Sequence, residues 1–83
     1  MIGIRTRLVL RKAARIGAYD LAVDPQPANA VNHMRQYVQG KLGRDIANRT
    51  VIAVSRPGDL GRMACAAITV GGYTATANQE VTR

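Results

Sequence analysis

The chain's 83 residues carry 12 Lys and Arg against 5 Asp and Glu, a formal net charge of +7, which favours nucleic acid, acidic protein surfaces or anionic membranes as partners. A chain of this length has room for one domain but not for two. Because it contains no Phe, no Trp and only 3 Tyr, we expect a thin aliphatic core that a partner or a second copy would help to stabilise.

The first segment, "IGIRTRLVLR", is predicted to be a β-strand. Its apolar residues Ile4, Leu8 and Leu10 occupy alternate positions, and Arg5 and Arg7 fall on the opposite face. A helix would place Ile4 and Leu8 among the cations, so the strand fits the pattern better. An Arg-rich amphipathic helix at this end would instead resemble a mitochondrial transit peptide.

The next segment, "GAYDLAVDP", repeats the alternation, with Leu21 and Val23 on one side and Asp20 and Asp24 on the other. With residues 12–17 as the connection, the two segments form an antiparallel hairpin that keeps both apolar sets on one face. The hairpin is therefore predicted to supply the first two strands of the sheet.

The arginines on the outward face of this hairpin have two interpretations. Ion pairs of Arg5 with Asp24 and of Arg7 with Asp20 would make them an ordinary solvated face that contributes little stability. The cations nearer the connection have no acid close by in the sequence, so we expect them to contact an anionic partner. The predicted contact residues are Arg5, Arg7, Arg11, Lys12 and Arg15.

A helix is predicted within "DPQPANAVNHMRQYVQGKLG". Its apolar stripe, at spacings of three and four residues, consists of Val31, Met34, Val38 and Leu42. Asp24 or Asn29 could cap its start, and Gly43 is a natural stop.

The second half of the chain begins with "TVIAVS", which is predicted to be a buried strand, followed by a loop in "RPGDLGR". The spacing of Gly58 and Gly61 is one that KH-type RNA-binding domains use near phosphates. Since a KH loop joins two helices and a strand precedes this one, we interpret it as a turn. A secondary contact loop is nevertheless proposed at Arg56, Gly58, Gly61 and Arg62.

The segment "MACAAITV" can be a strand or a short helix, but the following "GG" and "YTATA" favour a strand and a tight hairpin. Residues 78–83 are predicted to be frayed. The predicted fold is α+β: a single sheet of four or five mainly antiparallel strands with one helix on its apolar face, in the order ββαββ with room for an extra C-terminal strand.

The inventory of reactive groups indicates that the protein is not an enzyme. One histidine, one cysteine and five carboxylates show no motif spacing, and the sequence predicts no cofactor and no metal site. We expect His33 to be a solvated surface residue and Cys65 to be a buried, inert thiol.

The sequence therefore predicts a small, basic, non-enzymatic binding protein that docks through its hairpin on nucleic acid or on an acidic protein surface, as an inhibitor or accessory factor. The alternative is an assembly protein, a subunit of a particle or homo-oligomer, that packs through sheet edges and Ala-rich strands. A lone cysteine without a signal-peptide pattern predicts a cytoplasmic location, and no apolar run is long enough to span a membrane.

Overall fold

The computed structural model describes residues 3–24, 26–56 and 63–81. In this part of the chain, helices come first and strands follow, in the order α1 (Ile4–Val23), α2 (Pro27–Leu42), α3 (Arg44–Arg49), β1 (Val51–Ser55), β2 (Met63–Val70) and β3 (Tyr73–Glu80). The strands form an antiparallel sheet in the order β1-β2-β3. Helix α1 packs on β2 and β3 and helix α2 on β1, so these two helices cover one face of the sheet, and α3 packs on α2. The α+β class and an antiparallel sheet were expected, but the predicted ββαββ order with four or five strands and one helix is wrong.

Helix α1 replaces the predicted N-terminal hairpin. Its buried residues recur at intervals of three and four, the helical period: Val9, Leu10, Ala13, Ala14, Gly17, Ala18, Leu21 and Ala22. Each of the two predicted strands contained only part of this buried stripe, so the helical period was not visible in either segment alone. Ile4 and Leu8, which argued against a helix, are indeed 75% and 57% exposed. Alanine and arginine also favour helix over strand.

Small residues on α1 allow close contact with α2. A Cβ atom added to Gly17 would clash with Sδ of Met34 and lie 2.7 Å from its Cγ. Met34 is itself fully buried. A residue larger than glycine at position 17 would occupy the space that the Met34 side chain fills.

Helix α2 confirms the predicted helix. Met34 and Val38 are buried, as is Ala30, which stood beside the predicted stripe. The helix ends at Leu42 and is followed by Gly43, whose φ of 96° is unfavourable for other residues. Before the helix, the Asp24 carboxylate accepts hydrogen bonds from the backbone N–H of Gln26 and the side-chain amide of Asn29. These bonds, the first more than the second, lower the pKa of Asp24.

The C-terminal end of helix α3 is held by a cluster of hydrogen-bonded polar groups. The Thr50 hydroxyl donates to the Ala47 carbonyl at 2.7 Å, and Nη1 of Arg35 donates to the same carbonyl at 3.0 Å. Thr50 is buried, so these bonds satisfy groups that water does not reach. Arg35 therefore has a structural contact and is not a solvated cation.

The C-terminal hairpin confirms the strand interpretation of "MACAAITV". Gly71 and Gly72 have φ values of 58° and 81°, as a two-residue hairpin turn requires, and Val70 pairs with Tyr73. Strand β3 then continues to Glu80, where the sequence predicted fraying from residue 78.

Strand β1 is an edge strand and not the buried strand that was predicted. Val51 is 67% exposed, and only the alternate residues Ile52 and Val54 are partly covered. The sheet has an inner face against the helices, which includes Ala64, Ala66 and Ile68. Its other face lacks a covering layer among the described residues.

The core contains few large side chains. The largest fully buried ones are Leu10, Leu21, Met34, Val38 and Ile68, and most other core residues are alanines. Alanine buries little area, so these five side chains supply a large share of the hydrophobic stabilisation.

Candidate docking surface

The five cations that the sequence singled out lie on α1, and all are exposed. Because the predicted hairpin does not exist, they do not line a strand. Three of them, which we call the basic surface, are Arg11, Lys12 and Arg15. Among the described residues, no hydrogen bond or ion pair involves the side chains of these three, so their charges are available to a partner.

Arg5 and Arg7 flank the basic surface and already have contacts within the molecule. Nη2 of Arg5 donates to the Lys41 carbonyl at the end of α2, at 3.3 Å, where the helix dipole favours a cation. The Arg7 guanidinium lies 5.6 Å from the centroid of the Tyr73 ring, within the range of a cation–π contact. These two arginines connect α1 to its neighbours on either side.

The acids predicted to pair with these arginines have other partners. The Asp20 carboxylate contacts Nδ1 of His33 on α2. The Asp24 carboxylate accepts hydrogen bonds from Gln26 and Asn29 at the start of α2. His33 is exposed, as expected, but is not surrounded by solvent alone. Since the first acid of α1 is Asp20, the basic surface lies in a part of the helix without negative side chains.

Two grooves border the basic surface. One, of about 360 Å³, lies on the α2 side and is lined by Leu8, Val9, Arg11, Lys12, Arg15 and Tyr37. The other, of about 540 Å³, lies between α1 and β3; we call it the α1–β3 groove. Its lining is Arg11, Arg15, Ala18, Tyr19, Thr76, Ala77, Asn78 and Gln79. Arg11 and Arg15 therefore line both grooves.

Exposed apolar side chains lie among these cations. Ile4 is 75% exposed, Leu8 57% and Tyr19 56%, and on a helix they share the exposed side of α1 with Lys12 and Arg15. In the sequence, Ile4 and Leu8 argue against a helix because a helix places them among the cations. Their position in the helical projection was the feature that could have identified this mixed surface.

The remaining predicted residues do not extend the site. Arg56 follows β1 and is partly buried, whereas Gly58, Gly61 and Arg62 lie outside the described residues. Cys65 was expected to be buried, but it is only partly so, on the uncovered face of the sheet. No cluster of three metal-binding side chains occurs in the described ranges.

Comparisons with protein-family models, with curated proteins and with solved structures give no match. None of the helices in the described part of the chain is both long and apolar enough to cross a membrane. The function must therefore be inferred from the surface of α1 and from the elements beside it.

Proposed function

We propose that this protein is a non-enzymatic docking protein that binds an acidic surface of a partner protein through the exposed side of α1. The observation that carries the proposal is the mixture of cations and apolar side chains on this side. Arg15 lies one helical turn from Tyr19, and Lys12 one turn from Leu8, with Tyr19 and Leu8 both more than half exposed.

This mixture fits a protein partner better than a nucleic-acid backbone. Protein interfaces are enriched in arginine and aromatic residues. A phosphate chain has no apolar surface that could cover side chains such as Ile4 and Leu8. Arginine also binds carboxylates through two parallel hydrogen bonds. The absence of acids in α1 before Asp20 leaves Arg11 and Arg15 without competing partners on their own helix.

Binding to synthetic polyanions tests the proposal. The probes are polyglutamate, a random copolymer of glutamate and tyrosine, and a mixed-sequence DNA duplex, each titrated over a salt series. The variant R11Q/R15Q removes two charges from the docking surface, and R44Q/R49Q removes two exposed charges from α3 as a matched control. A third variant, I4Q/L8Q, removes only the apolar side chains.

We expect the copolymer to bind most tightly, and R11Q/R15Q to weaken it about tenfold, which corresponds to about 0.7 kcal/mol per surface arginine. R44Q/R49Q should have a smaller effect, and I4Q/L8Q should abolish the preference for the copolymer. Tighter binding of the duplex through Arg11 and Arg15 would show a nucleic-acid partner and overturn the proposal. Equal effects of the two arginine variants would overturn the docking surface itself.

A second candidate function is assembly through the uncovered face of the sheet. The central row of this face consists of Ala53, Ala67 and Thr76, all small and uncharged, so two copies could approach there without bringing cations together. Sedimentation equilibrium over a concentration series tests this. A67K should convert an oligomer to a monomer, and a wild-type protein that stays monomeric would exclude it.

A further inference from the structure

We propose that the α1–β3 groove receives an extended acidic segment of the partner, which adds a strand to β3 and places alternate carboxylates on Arg11 and Arg15. This inference rests on the proposed function and specifies how the partner binds. It combines a free strand edge, a groove beside that edge and two cations above it.

The outer edge of β3 is available for strand addition. β3 is the last strand in the order β1-β2-β3, and no described residue pairs with its far side. Because Val70 and Tyr73 flank a two-residue turn, they form a hydrogen-bonded pair, and such pairs alternate along the ladder. The backbone N–H and C=O groups of Thr76 and Asn78 therefore point away from β2, toward the free edge.

The groove follows this edge. Near its beginning β3 meets Arg7 through Tyr73, and farther along both elements the groove is lined by Tyr19 of α1 and Gln79 of β3. Helix α1 and strand β3 thus run side by side in the same direction. A strand added to β3 would lie along the floor of the groove, with α1 beside it.

The spacing of the two arginines matches that of an extended chain. Arg11 and Arg15 are four residues apart on a helix, a rise of about 6 Å. Alternate side chains of a strand lie on one face, about 6.7 Å apart. A segment with Glu or Asp at positions i and i+2 could therefore bring one carboxylate to each guanidinium, since both arginines line the groove.

Other occupants fit less well. A second copy's β3 would turn Tyr73, Ala75, Ala77 and Gln79 toward the arginines, because these residues face the helices, and none of them is acidic. A DNA backbone offers phosphate acceptors but no donors for the carbonyls of Thr76 and Asn78, and an RNA backbone adds only its 2′-hydroxyls. An extended polypeptide supplies donors and acceptors in the alternation that a strand edge requires.

Two labelled peptides of eight residues, the length of β3, test the inference. In one, glutamate alternates with threonine; in the other, four threonines precede four glutamates, so composition and charge are identical. Binding is measured by fluorescence anisotropy with wild type, R11Q/R15Q, the control R44Q/R49Q, and T76P. Proline at position 76 removes an edge N–H that is not used within the sheet, which edge strands tolerate.

We expect the alternating peptide to bind about tenfold more tightly than the block peptide. R11Q/R15Q should weaken both peptides, whereas T76P should weaken only the alternating one. In hydrogen exchange on the wild-type protein, the alternating peptide should slow the amides of Thr76 and Asn78, a result that does not depend on the folding of T76P.

The outcomes separate this inference from the proposed function. Equal binding of both peptides, with unchanged exchange at Thr76 and Asn78, would overturn strand addition and leave docking through Arg11 and Arg15 in place. Binding of the glutamate–tyrosine copolymer without binding of either peptide would likewise overturn strand addition alone. Loss of all binding to acidic probes would overturn both.

Discussion

Replacing Gly17 with alanine should show how closely α1 and α2 approach. The added methyl group would lie 2.7 Å from Cγ of Met34 and closer still to its sulfur. Because Cγ lies near the start of the Met34 side chain and Met34 is fully buried, the whole side chain must shift within the core to make room. Overpacking of this kind costs about 1–3 kcal/mol, while alanine in place of glycine in a helix contributes about 1 kcal/mol of stability.

Gly40 provides the matched control. It lies in α2 and has no heavy atom within 4 Å of its added Cβ, so Gly40→Ala should show the helix-propensity gain alone. The difference between the free energies of unfolding of the two variants therefore isolates the steric cost, about 1–3 kcal/mol. For a domain of this size, 1 kcal/mol corresponds to about 4–8 °C in Tm.

Thermal and urea unfolding, followed by circular dichroism, measure this difference. Gly17→Ala should melt at least about 4 °C below Gly40→Ala, with an unchanged urea m-value because the surface exposed on unfolding is the same. Equal melting temperatures would refute the close contact between Gly17 and Met34, and with it the described packing of α1 on α2.

Three further predictions concern the core, a buried hydroxyl and a carboxylate. Ile68→Ala removes a fully buried side chain and should cost about 2–5 kcal/mol in urea unfolding; a cost below 1 kcal/mol would contradict its place under the helices. Thr50→Val should cost about 1 kcal/mol, because the bond to Ala47 is lost, whereas the same change at the exposed Thr76, whose hydroxyl has no hydrogen bond to a described residue, should cost less. The pKa of Asp24, measured by NMR titration, should lie below its ordinary value; its stabilising contribution is then present above about pH 4 and is lost as the pH falls through the folded pKa, and Asp24→Asn should remove this part of the pH dependence.

Helix α2 and the C-terminal hairpin could be predicted because their patterns are local. Met34 and Val38 are large apolar residues at helical spacing, and the glycines at 71 and 72 are the residues that a two-residue turn requires. In both cases the residues that decide the structure lie within a few positions of each other in the chain.

Helix α1 could not be predicted with the same ease because its buried face has little hydrophobic contrast. Ala13, Ala14 and Ala18 resemble the solvated alanines of many helices, and their burial depends on β2 and β3, far along the chain. Over residues 2–11, period 2 and the helical period both fit. The larger residues Ile4 and Leu8 then favoured the wrong one, since they are exposed in the helix.

For the candidate site too, some residues could be predicted from the sequence and others could not. Arg11, Lys12 and Arg15 could be proposed from charge alone, and their role stays a prediction. The contribution of Thr76 and Asn78 to the adjoining groove had no local pattern, because it depends on α1 lying beside the last strand of the sheet.

The contact between α1 and β3 also constrains when the protein can fold during its synthesis. The ribosome makes α1 before β3, with all the other elements between them, at a rate of about 5–20 residues per second. Until β3 emerges, α1 lacks one of its packing partners, and residues such as Leu10 remain accessible to chaperones. Stable folding is therefore expected to follow completion of β3, so a nascent chain stalled before Tyr73 should be degraded by added protease.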